Sequence, residues 1–231
     1  MPKRSSRILV IAAHPDDEVL GCGATVARLC DEGAHVSIAI LGEGITSRYE
    51  ERTVADPHLI ASLRRDGQQA ASLLGAAEVS FHDLPDNRFD SVPILDVIKL
   101  VEEIVERVSP AEIYTHHSGD LNVDHGVTHR AVLTATRPMR GCGVKRLLTF
   151  EIPSSSEWAF GQFTAGFRPA VFVDVSATLD RKLAAMRAYE GEARPFPHPR
   201  SDEALTALAR ARGSAAGFDA AEAFEVVRHL I

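Results

Sequence analysis

The chain has 231 residues, 45% of them hydrophobic and 25% charged, with a formal net charge of −7. That is enough chain for one globular unit with a large core, and an acidic chain without a basic stripe does not suit nucleic acid. No apolar run approaches the roughly 20 residues of a membrane span, and three cysteines without a C-x-x-C exclude a disulfide framework.

The basic start, Met1 to Arg7, leads into a short strand interrupted by His14 and Asp16, which is not the pattern of a secretory signal. Cytoplasm is the default expectation. Arg7-Ile8-Leu9-Val10-Ile11 is an apolar, β-branched run that predicts a strand buried on both faces. Directly after it stand His14, Asp16, Asp17 and Glu18, with Pro15 stiffening the turn. Three carboxylates so close repel one another and need a cation or a proton among them. Gly21-Cys22-Gly23 leads into a helix ended by Gly33, and Val36–Leu41 is a second strand. A polar loop from Thr46 to about Pro57 precedes a helix carrying Leu59, Ile60, Leu63, Ala70 and Leu74 at helical spacing.

Glu78–Phe81 reads as strand three, followed by the loop Asp83–Arg88. Ile94, Leu95, Ile98, Val101, Val105 and Val108 mark a helix stopped by Ser109-Pro110. Ala111–Thr115 is strand four, His116–Asn122 a polar loop, and a helix starts at about Asp124. Leu147–Phe150 is strand five and Ala170–Val175 an added strand. Helices are expected at about 178–190, 202–212 and 219–230, the last with Asp219 and Glu222 as a capping box. Five alternations of strand and helix predict an α/β fold: a doubly wound, Rossmann-like, mostly parallel sheet of about five strands. Residues 1–231 read as a single domain with an irregular C-terminal extension.

In such sheets ligands bind beyond the carboxyl ends of the strands, at the switch in strand order. Four polar loops fall there, beginning with His14–Glu18 and ending with His116–His125. His14, Asp17 and His125 make two imidazoles and a carboxylate, a three-ligand zinc set that leaves one position for water. On charge alone Asp16 and Asp17 are interchangeable, one a ligand and the other a base.

The string Ala13-His14-Pro15-Asp16-Asp17-Glu18 resembles the signature of the PIG-L/LmbE-like deacetylases, and Asp120–His125 resembles its second part. Leu63-Arg64 leading to Leu74-Gly75, Leu84-Pro85-Asp86, His116–Asn122 and Pro197–Ser201 extend the likeness over nearly the whole chain. The resemblance implies a zinc-dependent enzyme that removes acetyl from N-acetylglucosamine-like sugars or their conjugates. It makes His14, Asp17 and His125 the metal ligands and Asp16 the general base. Arg64 and Asp86 fall where relatives contact the sugar. Some members carry a histidine where this chain has Asn122. An amide there can donate to an oxyanion but cannot hand a proton to the leaving amine, a duty left to Asp16 or His117.

Other polar residues are weaker candidates. His129, His116, Asp120 and His198 suit supporting or loop positions, and Trp158 suits either a pocket wall or a buried anchor. Iron(II) also accepts two histidines and a carboxylate, so a non-haem oxygenase is a rival reading. Gly21-x-Gly23 invites a nucleotide-binding oxidoreductase, but the third glycine of that motif is Val26 here. A non-enzymatic metal-binding protein is the remaining alternative. The expected partner is a small-molecule N-acetyl sugar or glycoconjugate, and self-assembly stays open.

Overall fold

The computed structural model describes residues 6–163 and 166–231; the basic start, Met1–Ser5, lies outside them. In chain order the principal elements are β1 (Arg7–Ala12), α1 (Asp17–Asp31), β2 (His35–Gly42), α2 (Pro57–Leu74), β3 (Glu78–Leu84), α3 (Ile94–Val108) and β4 (Glu112–His116). Then follow α4 (Val123–Ala135), β5 (Arg146–Phe150), β6 (Val171–Asp174), α5 (Leu179–Ala188), α6 (Asp202–Ser214) and β7 (Ala221–His229). The strands form one sheet in the order β3-β2-β1-β4-β5-β7-β6. The first five are parallel, and β7 runs antiparallel to both β5 and β6.

The alternation of side chains along β1 explains the two-layer cover. Ile8, Val10 and Ala12 pack on one face with Val19, Leu74 and Met186 from α1, α2 and α5. Leu9 and Ile11 pack on the other with Val97, Val101 and Val132 from α3 and α4. A strand with both faces buried has no polar positions, which is why it reads as a continuous apolar run. From β1 the chain moves outward to β2 and β3, then returns to β4 on the other side. That reversal opens a crevice at the carboxyl ends of β1 and β4.

The sheet has seven strands rather than about five, and the expected helix at 219–230 is the strand β7. Glu222 was the residue that suggested a helix start. Its buried carboxylate instead accepts from the backbone N–H groups of Ala24 (3.2 Å) and Thr25 (2.7 Å) and from Lys182 Nζ (2.6 Å). Helix α1 is broken at Cys22, whose backbone leaves the helical region (φ −152°, ψ 19°). The break frees amide donors that need an acceptor. Glu222 therefore caps a helix, but a different one nearly two hundred residues away. Lys182 satisfies the other side of the break by donating to Leu20 O at 2.7 Å.

Helix α1 also starts earlier than the glycine pair suggested, at Asp17. Gly21 lies where a Cβ would come within 2.3 Å of the Phe150 ring. Its small size serves close packing of α1 on β5, a different duty from cradling a pyrophosphate. Among the described residues no helix is long and apolar enough to cross a membrane.

Candidate active site

β1 ends at Ala12, and the chain turns sharply through His14-Pro15-Asp16 into α1. Asp16 holds φ at +99°, a left-handed conformation unusual for a residue with a side chain. Such a backbone costs on the order of 1–3 kcal/mol and persists only where surrounding contacts hold it. Here Asp16 N–H donates to Glu18 Oε2 (3.1 Å), and Asp16 Oδ2 accepts from Arg200 Nη1 (2.6 Å).

The turn brings His14 and Asp17 together, and α4 supplies His125. Asp17 Oδ2 lies 3.3 Å from His14 Nδ1 and 3.3 Å from His125 Nε2. For zinc bonds of about 2.0–2.1 Å, the edge of a ligand tetrahedron is about 3.3–3.4 Å. The spacing therefore fits donors converging on one small cation. The far nitrogens fit as well. His14 Nε2 lies 2.9 Å from Asp124 Oδ2, and His125 Nδ1 lies 2.8 Å from Asp120 Oδ2. A carboxylate on the far nitrogen fixes each imidazole's tautomer and leaves the near nitrogen's lone pair free for a metal. Asp124 is itself held by Phe89 N–H (2.9 Å), and Asp120 by Ser156 Oγ.

Two further groups among the described residues could hold an ion: His116 with Asp120 and His125, and His14 with Asp86 and Asp124. Both reuse a histidine of the first group through its far side. His116 Nε2 already accepts the Ala13 N–H at 2.8 Å, so its proton is on Nδ1, which is buried without a hydrogen-bond partner. Burial and the His125 charge push His116 down, so it stacks on His125 as a neutral ring at 4.0 Å. His14, Asp17 and His125 are the group best placed to take a metal.

The electrostatics point the same way. Burial pushes His14 down, but hydrogen bonds to Asp124 and Asp17 carry it up to about 10. Burial also lowers His125, and Asp17 and Asp120 raise it to about 9. Burial would raise Asp17, yet the charge of His125 and hydrogen bonds from His125 and His14 hold it well below the usual carboxylate range. The cluster thus demands positive charge at its centre, as protons or as a cation. Burial lifts Asp16 well above the usual range; Arg200 opposes that and Asp17 adds to it.

These residues open onto a cavity of about 550 Å³ whose walls include Asp16, Asp86, Asn122, Trp158, Glu192 and Arg200. Asp86 accepts from Ser47 N–H (3.0 Å) and Ser47 Oγ (2.6 Å), tying the loop after β2 to the site. Asn122 caps α4 by accepting from Asp124 N–H (2.9 Å) and donates from Nδ2 to Asn87 Oδ1 (2.9 Å). Trp158 is a wall of the cavity. Arg64 does not reach it; its neighbour Leu63 does. The Arg64 guanidinium turns to Asp83 at the end of β3. His117 also lies outside the lining, with Nδ1 2.7 Å from Glu225 and its ring against Phe167. His129 supports from behind, with Nδ1 2.9 Å from His116 O.

Arg200, Glu192 and Arg48 were not singled out by the sequence reading. Arg200 bridges Asp16, Glu192 (3.2 Å) and Ser154 Oγ (3.0 Å), and Arg48 pairs with the other oxygen of Glu192. These residues come from two distant loops, Arg48 from the one after β2 and Glu192 and Arg200 from the one between α5 and α6. Two strings signalled this wall, the polar cluster Glu43–Arg48 after the second strand and Pro197-His198-Pro199-Arg200-Ser201.

Comparison with known proteins places the chain among relatives of the same fold. An uncharacterised deacetylase of Escherichia coli (strain K12), YaiS, is 28% identical over 195 residues, covering 79% of this chain and 90% of that protein. A 4-oxalmesaconate hydratase of Pseudomonas putida is 26% identical over 208 residues, covering 83% of this chain and 75% of its own. The structure of N,N'-diacetylchitobiose deacetylase from Pyrococcus horikoshii superposes with a TM-score of 0.78 at 19% identity, over 97% of this chain and 85% of that one. The family model described as PIG-L, GlcNAc-PI de-N-acetylase, matches residues 9–136, more than half of the sequence. The chain belongs to the PIG-L family.

Proposed function

We propose that this protein is a zinc-dependent hydrolase that removes the acetyl group from an N-acetylated amino sugar or its conjugate. The observation that carries the reading is the His14–Asp17–His125 cluster, with its 3.3 Å spacings and a separate carboxylate behind each imidazole. A zinc ion held by those three residues would lower the pKa of a bound water and polarise the acetyl carbonyl.

The chain's own residues supply the rest. Asp16, beside the cluster and on the cavity wall, takes a proton from the attacking water and returns it to the departing amine. Arg200 fixes the orientation of that carboxylate. Asn122 Nδ2 has two hydrogens and gives one to Asn87, leaving one for the oxyanion. Asp86, which also lines the cavity, suits a sugar hydroxyl.

A hydratase among the relatives makes water addition to an unsaturated acid the competing reading. The guanidinium groups of Arg48 and Arg200 favour it, since either would hold a substrate carboxylate, but both already engage Glu192. The test is acetate release by the zinc-loaded protein across N-acetylated monosaccharides, nucleotide sugars and glycosides. Release that chelation abolishes and zinc restores supports the reading. Release from a metal-free sample, or hydration of an enoic acid with no amide cleavage, refutes it.

A further inference from the structure

An aspartate at the position before a helix ordinarily folds its side chain back onto the first amides of that helix. Asp16 holds that position ahead of α1 and makes no such bond. Its C=O accepts from Val19 N–H (3.0 Å) and Leu20 N–H (2.9 Å), so the backbone enters the helix while the side chain goes elsewhere. In a regular helix, neighbouring side chains point about 100° apart. With φ at +99°, Asp16 breaks that geometry, and both Asp16 and Asp17 line the cavity. The unusual backbone needs a hold. Asp16 is buried, and a buried N–H requires an acceptor. Glu18 Oε2 is that acceptor at 3.1 Å, reaching back from the second residue of α1. The other oxygen, Oε1, accepts from the Tyr189 hydroxyl at 2.7 Å. Tyr189 directly follows α5, and both Tyr189 and Glu18 are buried. Gly67 of α2 makes room for the hydroxyl, since a Cβ there would come within 2.9 Å of Tyr189 Oη. Neither Glu18 nor Tyr189 lines the cavity. Burying a carboxylate is costly unless its oxygens are bonded, and here one of the two bonds goes to the turn that carries the base.

From this we infer that Glu18, braced by Tyr189, is a positioning residue for Asp16. By holding the Asp16 amide it fixes the backbone that aims the Asp16 carboxylate into the cavity, while Arg200 holds the carboxylate itself. The inference rests on the deacetylase reading for the proton that Asp16 moves.

The test measures zinc content and steady-state kinetics in Glu18→Ala, Glu18→Gln and Tyr189→Phe, each alone and combined with Asp16→Asn. The substrate is whichever of N-acetylglucosamine, UDP-N-acetylglucosamine and N,N'-diacetylchitobiose the zinc-loaded protein turns over fastest. Glu18→Ala should keep about one zinc per chain and hold KM within about twofold, while kcat falls by about ten- to a hundredfold. A glutamine can offer Oε1 to the Asp16 amide and donate from Nε2 to the rotatable Tyr189 hydroxyl, so Glu18→Gln should stay within about threefold in kcat. Tyr189→Phe removes only the brace and should lower kcat by about two- to tenfold. In the Asp16→Asn background none of the three should cost more than about twofold, because no carboxylate remains to aim. A merely structural role would cost the same in both backgrounds, and that result overturns the inference. So does an unchanged kcat in Glu18→Ala and Tyr189→Phe, or a loss of zinc in either, which would make Glu18 a support for Asp17. If Glu18→Ala does not fold, Tyr189→Phe decides by the same comparison. If no sugar is deacetylated, the deacetylase reading fails alone. Crystal structures of Glu18→Ala and Tyr189→Phe still decide the positioning: an Asp16 that leaves its left-handed backbone supports it, and one that keeps both φ near +99° and the bond to Arg200 overturns it.

Discussion

Loading the metal-free protein with zinc should release at least about two protons per ion at pH 7.5. The number follows from the two imidazoles. Without an ion, His14 is carried up to about 10 and His125 to about 9 by the carboxylates around them. Both are then more than about 95% protonated at pH 7.5, and each must lose its proton to become a ligand. Histidines at their ordinary value of about 6.5 would together release only about 0.2 protons at that pH. The competition also weakens binding. The two displacements amount to about four pH units, roughly 5 kcal/mol of apparent affinity at pH 7.5. Between pH 6.5 and 8, affinity should rise by about 100-fold per pH unit. Isothermal titration in buffers of different ionisation enthalpy counts the protons directly. Asp124→Asn removes the hydrogen bond that most strongly raises His14, so its count should fall toward one. Fewer than about one proton in the unmodified protein, with affinity flat across this range, would refute the claim that Asp120 and Asp124 hold these rings charged.

Three further outcomes follow from the same geometry. Groups raised in the folded state contribute stability that is present below their unfolded value of about 6.5 and lost as pH climbs through 9 to 10; the metal-free protein's Tm should fall over that span, while zinc loading flattens the fall. Glu222→Ala leaves Lys182 and two amides buried without their acceptor, at a cost of about 3–5 kcal/mol, so thermal unfolding should move down by on the order of 10 °C; a shift under about 2 °C would mean the break in α1 needs no cap. Arg64→Ala removes a surface ion pair with Asp83 and should leave kcat/KM within about twofold and stability within about 1 kcal/mol; a tenfold kinetic loss would put Arg64 back on the substrate.

The sequence made some of this structure readable and hid the rest for identifiable reasons. The strands β1 and β2 stand out because burial on both faces makes them long, nearly unbroken apolar runs. His14, Asp17 and His125 stand out because two short strings place imidazoles and carboxylates together at strand ends. Helix spacing places Leu63 and Arg64 side by side, yet one residue of rotation separates the cavity from Asp83, and sequence alone does not fix that rotation. The wall formed by Arg48, Glu192 and Arg200 comes from loops with no shared period. β7 misled because Ala221-Glu222-Ala223-Phe224 is buried throughout, so the alternation that marks a half-exposed strand is missing, and its glutamate serves α1.

The central claim is that adjacent aspartates divide the work, Asp17 holding the ion and Asp16 moving the proton. Metal content and acetate release, measured side by side in Asp16→Asn and Asp17→Ala, test it most directly. Asp16→Asn should keep about one zinc per chain, with turnover reduced by about a hundred- to ten-thousand-fold. Asp17→Ala should lose zinc and turnover together. An Asp16→Asn protein that loses its zinc while Asp17→Ala retains it would contradict the account.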